Sequence, residues 1–159
     1  MADKILVAVF SASGVTRRVG EEIARVSGGD FFEIVPVEKY TKSDLNLTNR
    51  KSRSSVEMND PSCRPEIAVE VKDMDQYDTV IVGFPIWWGE EPRIMDTFVE
   101  SYDFDGITMI PFCTSGGSGI GRSGQNMADN AGSGNWLDGE RFSAGASEED
   151  ISSWIDGLQ

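Results

Sequence analysis

Ser11, Ser13 and Thr16 surround a glycine in the stretch Ser11-Ala12-Ser13-Gly14-Val15-Thr16-Arg17-Arg18. A phosphate needs several donors converging without steric bulk. Gly14 lets the backbone turn, the hydroxyls offer O–H donors, and a helix begun at Val15 would add unpaired N–H groups and the positive end of its dipole. A plain helix cap needs one hydroxyl rather than several. Arg17 and Arg18 would add positive charge nearby. The pattern G-x-x-x-x-G-K-[ST] is absent, so this is not a P-loop. Farther on, Pro85-Ile86-Trp87-Trp88-Gly89 places two adjacent indoles between turn residues. Both cannot face one core, so at least one is expected to be exposed or stacked on a planar partner. Thr114-Ser115-Gly116-Gly117-Ser118-Gly119-Ile120-Gly121 is a glycine-rich run whose backbone could come close to a ligand and present amides to its polar edge. Its spacing is not that of a dinucleotide loop, because Arg122 stands at the third glycine position.

These segments need elements to position them. Lys4 to Phe10, Thr79 to Phe84 and Ile107 to Cys113 are near-continuous apolar runs, the pattern of strands buried on both faces of a parallel sheet. Phe31 to Pro36 reads as a further strand, and Arg141-Phe142 marks a short last one. Val15, Val19, Ile23 and Val26 lie on one helix face, stopped by Gly28-Gly29. A helix follows Pro92, another runs over Gly119 to Ala131, and Ser147 with three acidic residues opens the last, whose stripe is Ile151, Trp154, Ile155 and Leu158. Residues 37–65 form a long polar connection with a short helix around Arg50 to Met58. The alternation of strand and helix predicts an α/β fold, one doubly wound domain over residues 1–159. Ligands of such sheets bind beyond the carboxyl ends of the strands, where all three motifs lie.

Composition narrows the chemistry. The chain has 159 residues, no histidine and two cysteines. Histidine-containing zinc sites, Ser-His-Asp triads and Cys-His dyads are excluded, so reactivity would come from a bound cofactor. Cys63 and Cys113 are expected to be free thiols in a reducing, cytoplasmic compartment. No apolar stretch approaches a bilayer span. The formal charge is −13 and arises wholly from residues 73–159, with three basic and 16 acidic side chains. Such a field disfavours nucleic acid and anionic membrane and steers basic-surfaced partners.

The motifs together resemble the flavodoxins. Ser11-x-Ser13-Gly14-x-Thr16 is similar to the phosphate loop of that family. Gly83-Phe-Pro-Ile-Trp-Trp-Gly89, Tyr102-Asp-Phe-Asp-Gly106 and Pro111-Phe-Cys-Thr-x-Gly-Gly-Ser-Gly119 resemble segments of a bacterial flavodoxin-like group, as does Tyr40-Thr-x-x-Asp-Leu45. The resemblance implies a five-stranded parallel sheet of order 2-1-3-4-5 binding FMN. Ser11, Ser13, Gly14, Val15 and Thr16 would hold the phosphate. Pro85, Ile86, Trp87, Trp88 and Gly89 would flank the ring, with Trp87 or Trp88 stacked on it. Thr114, Ser115, Gly116, Gly117 and Ser118 would border its other side. Ser115 departs from the group, which often has histidine there.

An electron carrier docking to basic redox proteins is the function this implies. Glu90 and Glu91 are candidates to disfavour the reduced, anionic ring; one carboxylate about 10 Å away at an effective dielectric of about 40 would contribute roughly 0.8 kcal/mol. The alternative is an FMN-dependent NAD(P)H:quinone-type reductase, for which Arg50, Lys51, Arg53 and Arg64 could meet the dinucleotide's phosphates.

Overall fold

The structure, a computed structural model, describes residues 4–158. The three apolar runs are β1 (Ile5–Val9), β3 (Thr79–Pro85) and β4 (Thr108–Thr114), which pair in parallel. β2 (Asp30–Glu33) adds beside β1. Along each strand the side chains alternate between two cores, as the period-2 pleat requires. Leu6, Ala8, Val80, Val82 and Met109 enter one core with Ile94, Phe98 and Met127. Val7, Val9, Ile81, Ile110 and Phe112 enter the other with Val19, Ile23, Ile151 and Ile155.

The helices supply those opposing faces. α1 (Val15–Ser27) and α5 (Glu148–Leu158) cover one side of the sheet, and α3 (Arg93–Glu100) and α4 (Ser123–Ala131) the other. α1 ends at Gly28, whose φ of 74° is a left-handed cap and whose N–H donates to Ala24 O. Ser147 and Asp150 cap α5 reciprocally, Asp150 N–H donating to Ser147 Oγ at 3.1 Å and Ser147 N–H to Asp150 Oδ2 at 3.3 Å. In the long connection, α2 (Arg53–Met58) begins at Ser52, whose hydroxyl accepts from Ser55 N–H.

Three boundaries differ from the sequence reading. β2 stops at Glu33, and Pro36 instead forms an antiparallel bridge with Ile67 of the returning connection. α4 starts at Ser123 rather than Gly119, because Gly121 adopts a φ of 58° incompatible with a right-handed helix. α2 starts at Arg53 rather than Arg50, because Ser52 is the residue that caps it.

The last strand comes in two pieces. β5 (Asn135–Trp136) and β6 (Glu140–Phe142) both pair with β4, giving the path β2-β1-β3-β4-β5 with β6 continuing along the same edge. The expected Arg141-Phe142 strand is the second piece, and the piece at Trp136 carried no alternation long enough to read. The break faces Pro111, which has no N–H to offer a neighbour. Pro111 also crowds the break: a Cβ on Gly139 would stand 2.6 Å from Pro111 O and 2.4 Å from Ile120 Cδ1.

The sheet tolerates no side chain at Gly83 either. A Cβ there would lie 2.1 Å from Phe112 Cζ on the neighbouring strand, inside a ring that is fully buried. Gly83→Ala should therefore destabilise the fold by about 1–3 kcal/mol through overpacking. Urea unfolding checks this; an unchanged midpoint would show that the ring can move aside.

Candidate functional site

The loops after β1, β3 and β4 come together beyond the carboxyl end of the sheet. They enclose a cleft of about 460 Å³ lined by Ser13, Val15, Pro85, Thr114, Ser115 and Gly116. A fourth segment, Ser143–Gly145, closes its far wall. Sequence reasoning passed over that segment. The strand-end rule that found the other loops also points to it, because it directly follows the expected Arg141-Phe142 strand.

In the first loop Gly14 has a φ of 96° and turns the chain into α1, so Val15, Thr16 and Arg17 begin the helix with N–H groups that have no intrahelical acceptor. Ser11 Oγ accepts from Gly14 N–H at 3.0 Å, which fixes the turn. Ser11 itself lies on a separate groove of about 220 Å³ beside Glu33, Lys39 and Tyr40. Thr16 is buried below the cleft, its hydroxyl 2.7 Å from Thr114 Oγ1. Whichever of the two donates, the other keeps its own proton for a further acceptor. The two arginines are engaged elsewhere. Arg17 pairs with Glu21 and Glu33 at the surface, and Arg18 donates to Ala144 O and Ala146 O at 2.7 and 3.3 Å. The positive charge expected from Arg17 at a phosphate is thus offset by two carboxylates, and Arg18 holds the fourth segment in place.

The second loop separates the two tryptophans. Trp87 is only 5% exposed and packs edge-on against Phe10 and Tyr40, with ring centroids 5.7 and 5.4 Å away. Trp88 is 48% exposed. Trp87 and Glu90 exchange both backbone hydrogen bonds, at 2.9 and 3.1 Å, around a two-residue turn. Trp88 and Gly89 have φ of 52° and 81°. Both positive signs mark a type I′ turn, which favours Asn-Gly rather than a bulky aromatic. A left-handed non-glycine residue costs on the order of 1–3 kcal/mol and persists only where its surroundings impose it. Here the Trp88 indole N–H donates to Leu47 O of the long connection at 3.2 Å.

The third loop leaves β4 at Thr114, whose carbonyl accepts from Ile86 N–H at 3.2 Å and so ties it to the second loop. Ser115, Gly116, Gly117 and Ser118 then turn at the surface. Among the described residues, the N–H groups of Gly116, Gly117 and Ser118 donate to no protein acceptor. Gly117 and Ser118 lie outside the cleft lining and Gly116 within it.

Comparison with known proteins agrees with this fold. The family model described as flavodoxin matches residues 4–158. The chain belongs to the flavodoxin family. Two solved structures are similar over its whole length. A protein of Bacteroides eggerthii assigned as a flavoprotein shares 44% identity over 98% of each chain, with a TM-score of 0.91. One of Bacteroides uniformis shares 44% identity over 98% of this chain and 99% of its own, with a TM-score of 0.92. A Lactobacillus acidophilus flavoprotein, solved in complex with FMN, shares 19% identity over 97% and 99% of the two chains, with a TM-score of 0.72. No curated protein sequence matches.

The two glutamates after the second loop line a separate cavity with Arg93, Asp96 and Asn126 and differ from each other. Glu90 stays partly exposed and accepts from Asn126 Nδ2 at 3.2 Å. Glu91, by contrast, is 0% exposed between α3 and α4. One of its oxygens accepts from Asn126 Nδ2 at 3.1 Å, and the other has no partner among the described residues. Burial, and then the neighbouring Asp96 carboxylate, push its carboxyl up to about 9. Of the two residues expected to bias a bound ring electrostatically, Glu91 is thus pushed toward its neutral form. Because the folded value lies above the ordinary 4.5, the folded state keeps a proton that the unfolded chain releases. Stability should fall as pH rises through the window from about 4.5 to about 9. Glu91→Gln keeps a hydrogen-bonding amide in place of the carboxyl and should flatten that decline. Urea midpoints at pH 6, 7, 8 and 9 decide the matter: parallel curves for the two proteins would mean Glu91 is not the group responsible.

Proposed function

We propose that this flavodoxin-family protein binds FMN in the cleft beyond β1, β3 and β4 and carries electrons between redox proteins. The observation that carries the reading is the convergence of an anion-suited helix start, an exposed indole and unpaired backbone amides at one end of the sheet. The residues fit the group. At about 460 Å³ the cleft lies within the usual range for small-molecule pockets, roughly 300–1,000 Å³. At Gly116 and Gly117 even an added Cβ would meet nothing within 4 Å. The Lactobacillus acidophilus flavoprotein solved with FMN supports the same cofactor.

Ser13, Val15 and Thr16 would hold the phosphate, Ser13 and Val15 from the cleft wall and Thr16 through the proton its pair with Thr114 leaves free, while Ser11 and Gly14 fix the turn that presents them. Pro85 to Gly89 would flank the ring, with Trp88 as its aromatic wall. Trp87 supports that wall from the core. Thr114 to Ser118 would border the ring's other side, with the unpaired amides of Gly116, Gly117 and Ser118 offered to its polar edge. When bound, FMN supplies reversible one- and two-electron transfer. The chain's part is to bind it, orient it and shield it from water on one side.

The charge of −13 suits brief docking to basic-surfaced partners. The reductase alternative loses support from the long connection. Arg53 pairs with Glu57 at 2.9 Å and stacks 3.8 Å from the Tyr40 ring centroid, and Arg64 pairs with Glu100 at 2.8 Å. Two of the four cations suggested for a dinucleotide's phosphates are thus already neutralised.

The visible spectrum of the purified protein, before and after adding FMN and removing free flavin, tests the reading. Retained flavin bands with quenched fluorescence are expected; a colourless protein would overturn it, and bleaching by NAD(P)H would move it to the reductase. Trp88→Ala should weaken FMN binding roughly 2- to 12-fold, corresponding to the stacking energy of about 0.5–1.5 kcal/mol. Trp87→Ala should instead cost stability, about 3–5 kcal/mol for a large buried aromatic. Fluorescence titration together with urea unfolding separates the two, and equal FMN affinity in Trp88→Ala and the parent protein would remove Trp88 from the site.

A further inference from the structure

Residues 73–159 contain only three basic side chains, Arg93, Arg122 and Arg141. Arg93 is buried against the carbonyls of Glu57 and Met58. Arg141, on β6, is directed at the third loop. Its Nε donates to Ser115 Oγ at 2.9 Å and its Nη2 to Ser115 O at 2.9 Å. Ser115 Oγ in turn donates to Ser118 O, and Ser115 N–H donates to Phe142 O at 3.2 Å. Every polar atom of Ser115 is therefore engaged. The effect is to pin the turn Ser115–Ser118 at both ends and leave the amides of Gly116 and Gly117 without a protein acceptor. Among the described residues Arg141 forms no ion pair, so its charge stays unneutralised beside the cleft wall that Ser115 and Gly116 build.

We propose that Arg141 is a positioning residue of this site with two separable effects: its guanidinium fork pre-organises the amide turn after β4, and its charge raises the potential of the flavin bound there. This rests on the FMN reading. The fork and the charge part company in two substitutions, because lysine keeps the charge without the planar fork, whereas glutamine loses both. The sign follows from Coulomb's law: a cation near the ring favours the more negative, reduced state, and its removal disfavours it.

Both Arg141→Lys and Arg141→Gln should weaken FMN binding about tenfold. Only Arg141→Gln should shift the midpoint potential of bound FMN to more negative values, with Arg141→Lys staying at the parent value. A purely structural role would move both variants alike, and unchanged affinity and potential in both would overturn the proposal. Backbone ¹⁵N relaxation on the flavin-free protein gives an independent readout. Gly116 and Gly117 should have order parameters near the rigid value of about 0.85 in the parent and fall toward 0.6 in both variants. A turn already as mobile in the parent as in the variants would refute the positioning role, whatever the flavin does. If the parent binds no FMN, the function above fails, and the relaxation result still decides whether Arg141 holds the turn. Should Arg141→Gln fail to fold by circular dichroism, Arg141→Lys carries the affinity and relaxation tests.

Discussion

A parallel sheet whose two faces are both buried leaves only its strand ends to the solvent. Leu6, Ala8, Val80 and Val82 point to one core and Val7, Val9 and Ile81 to the other. Helices must therefore cover both sides, and each βα connection has to pass over an end of the sheet. The loops after β1, β3 and β4 all emerge at the carboxyl end because the strands run the same way. Their meeting at one cleft is a consequence of strand direction and not of any affinity between the loops.

Proximity alone does not make a site, and three small contacts turn loops into walls. The Thr16–Thr114 hydroxyl pair joins the first loop to the third. The Ile86 amide bound to Thr114 O joins the second to the third. Arg18, donating to Ala144 O and Ala146 O, brings in the fourth segment. All are short-range hydrogen bonds, each worth on the order of 1 kcal/mol net, so they act by fixing geometry rather than by holding the domain together. Phe10, Tyr40 and Trp87, packed edge-on against one another, tie the starts of the first two loops to the long connection.

The strained turn at Trp88-Gly89 belongs to the same picture. An indole is an unfavourable choice at a left-handed position, and local preference would put asparagine there. The backbone bonds between Trp87 and Glu90, the buried Trp87 and the Leu47 carbonyl together hold it. Where a local rule is broken under that many restraints, function is the usual reason.

Much of this was legible in the chain. Near-continuous apolar runs fixed a parallel sheet, because only a strand with two buried faces has no polar alternation. The hydroxyls around Gly14, the paired tryptophans and the glycine run marked the three loops, because their composition serves no core. The adjacency of Trp87 and Trp88 already required that one of them leave the core. Tertiary structure alone decided which one, since the answer lies in Phe10 and Tyr40, 77 and 47 residues away in sequence from Trp87. It alone pushed the Glu91 carboxyl upward, through burial and through neighbours that come from α3 and α4. It alone committed Arg17, Arg18 and Arg141 to their partners. Periodicity reports how a residue relates to its own strand or helix; charge state, exposure and hydrogen-bond partner depend on what the other elements bring alongside it, and that is set only when the chain has folded.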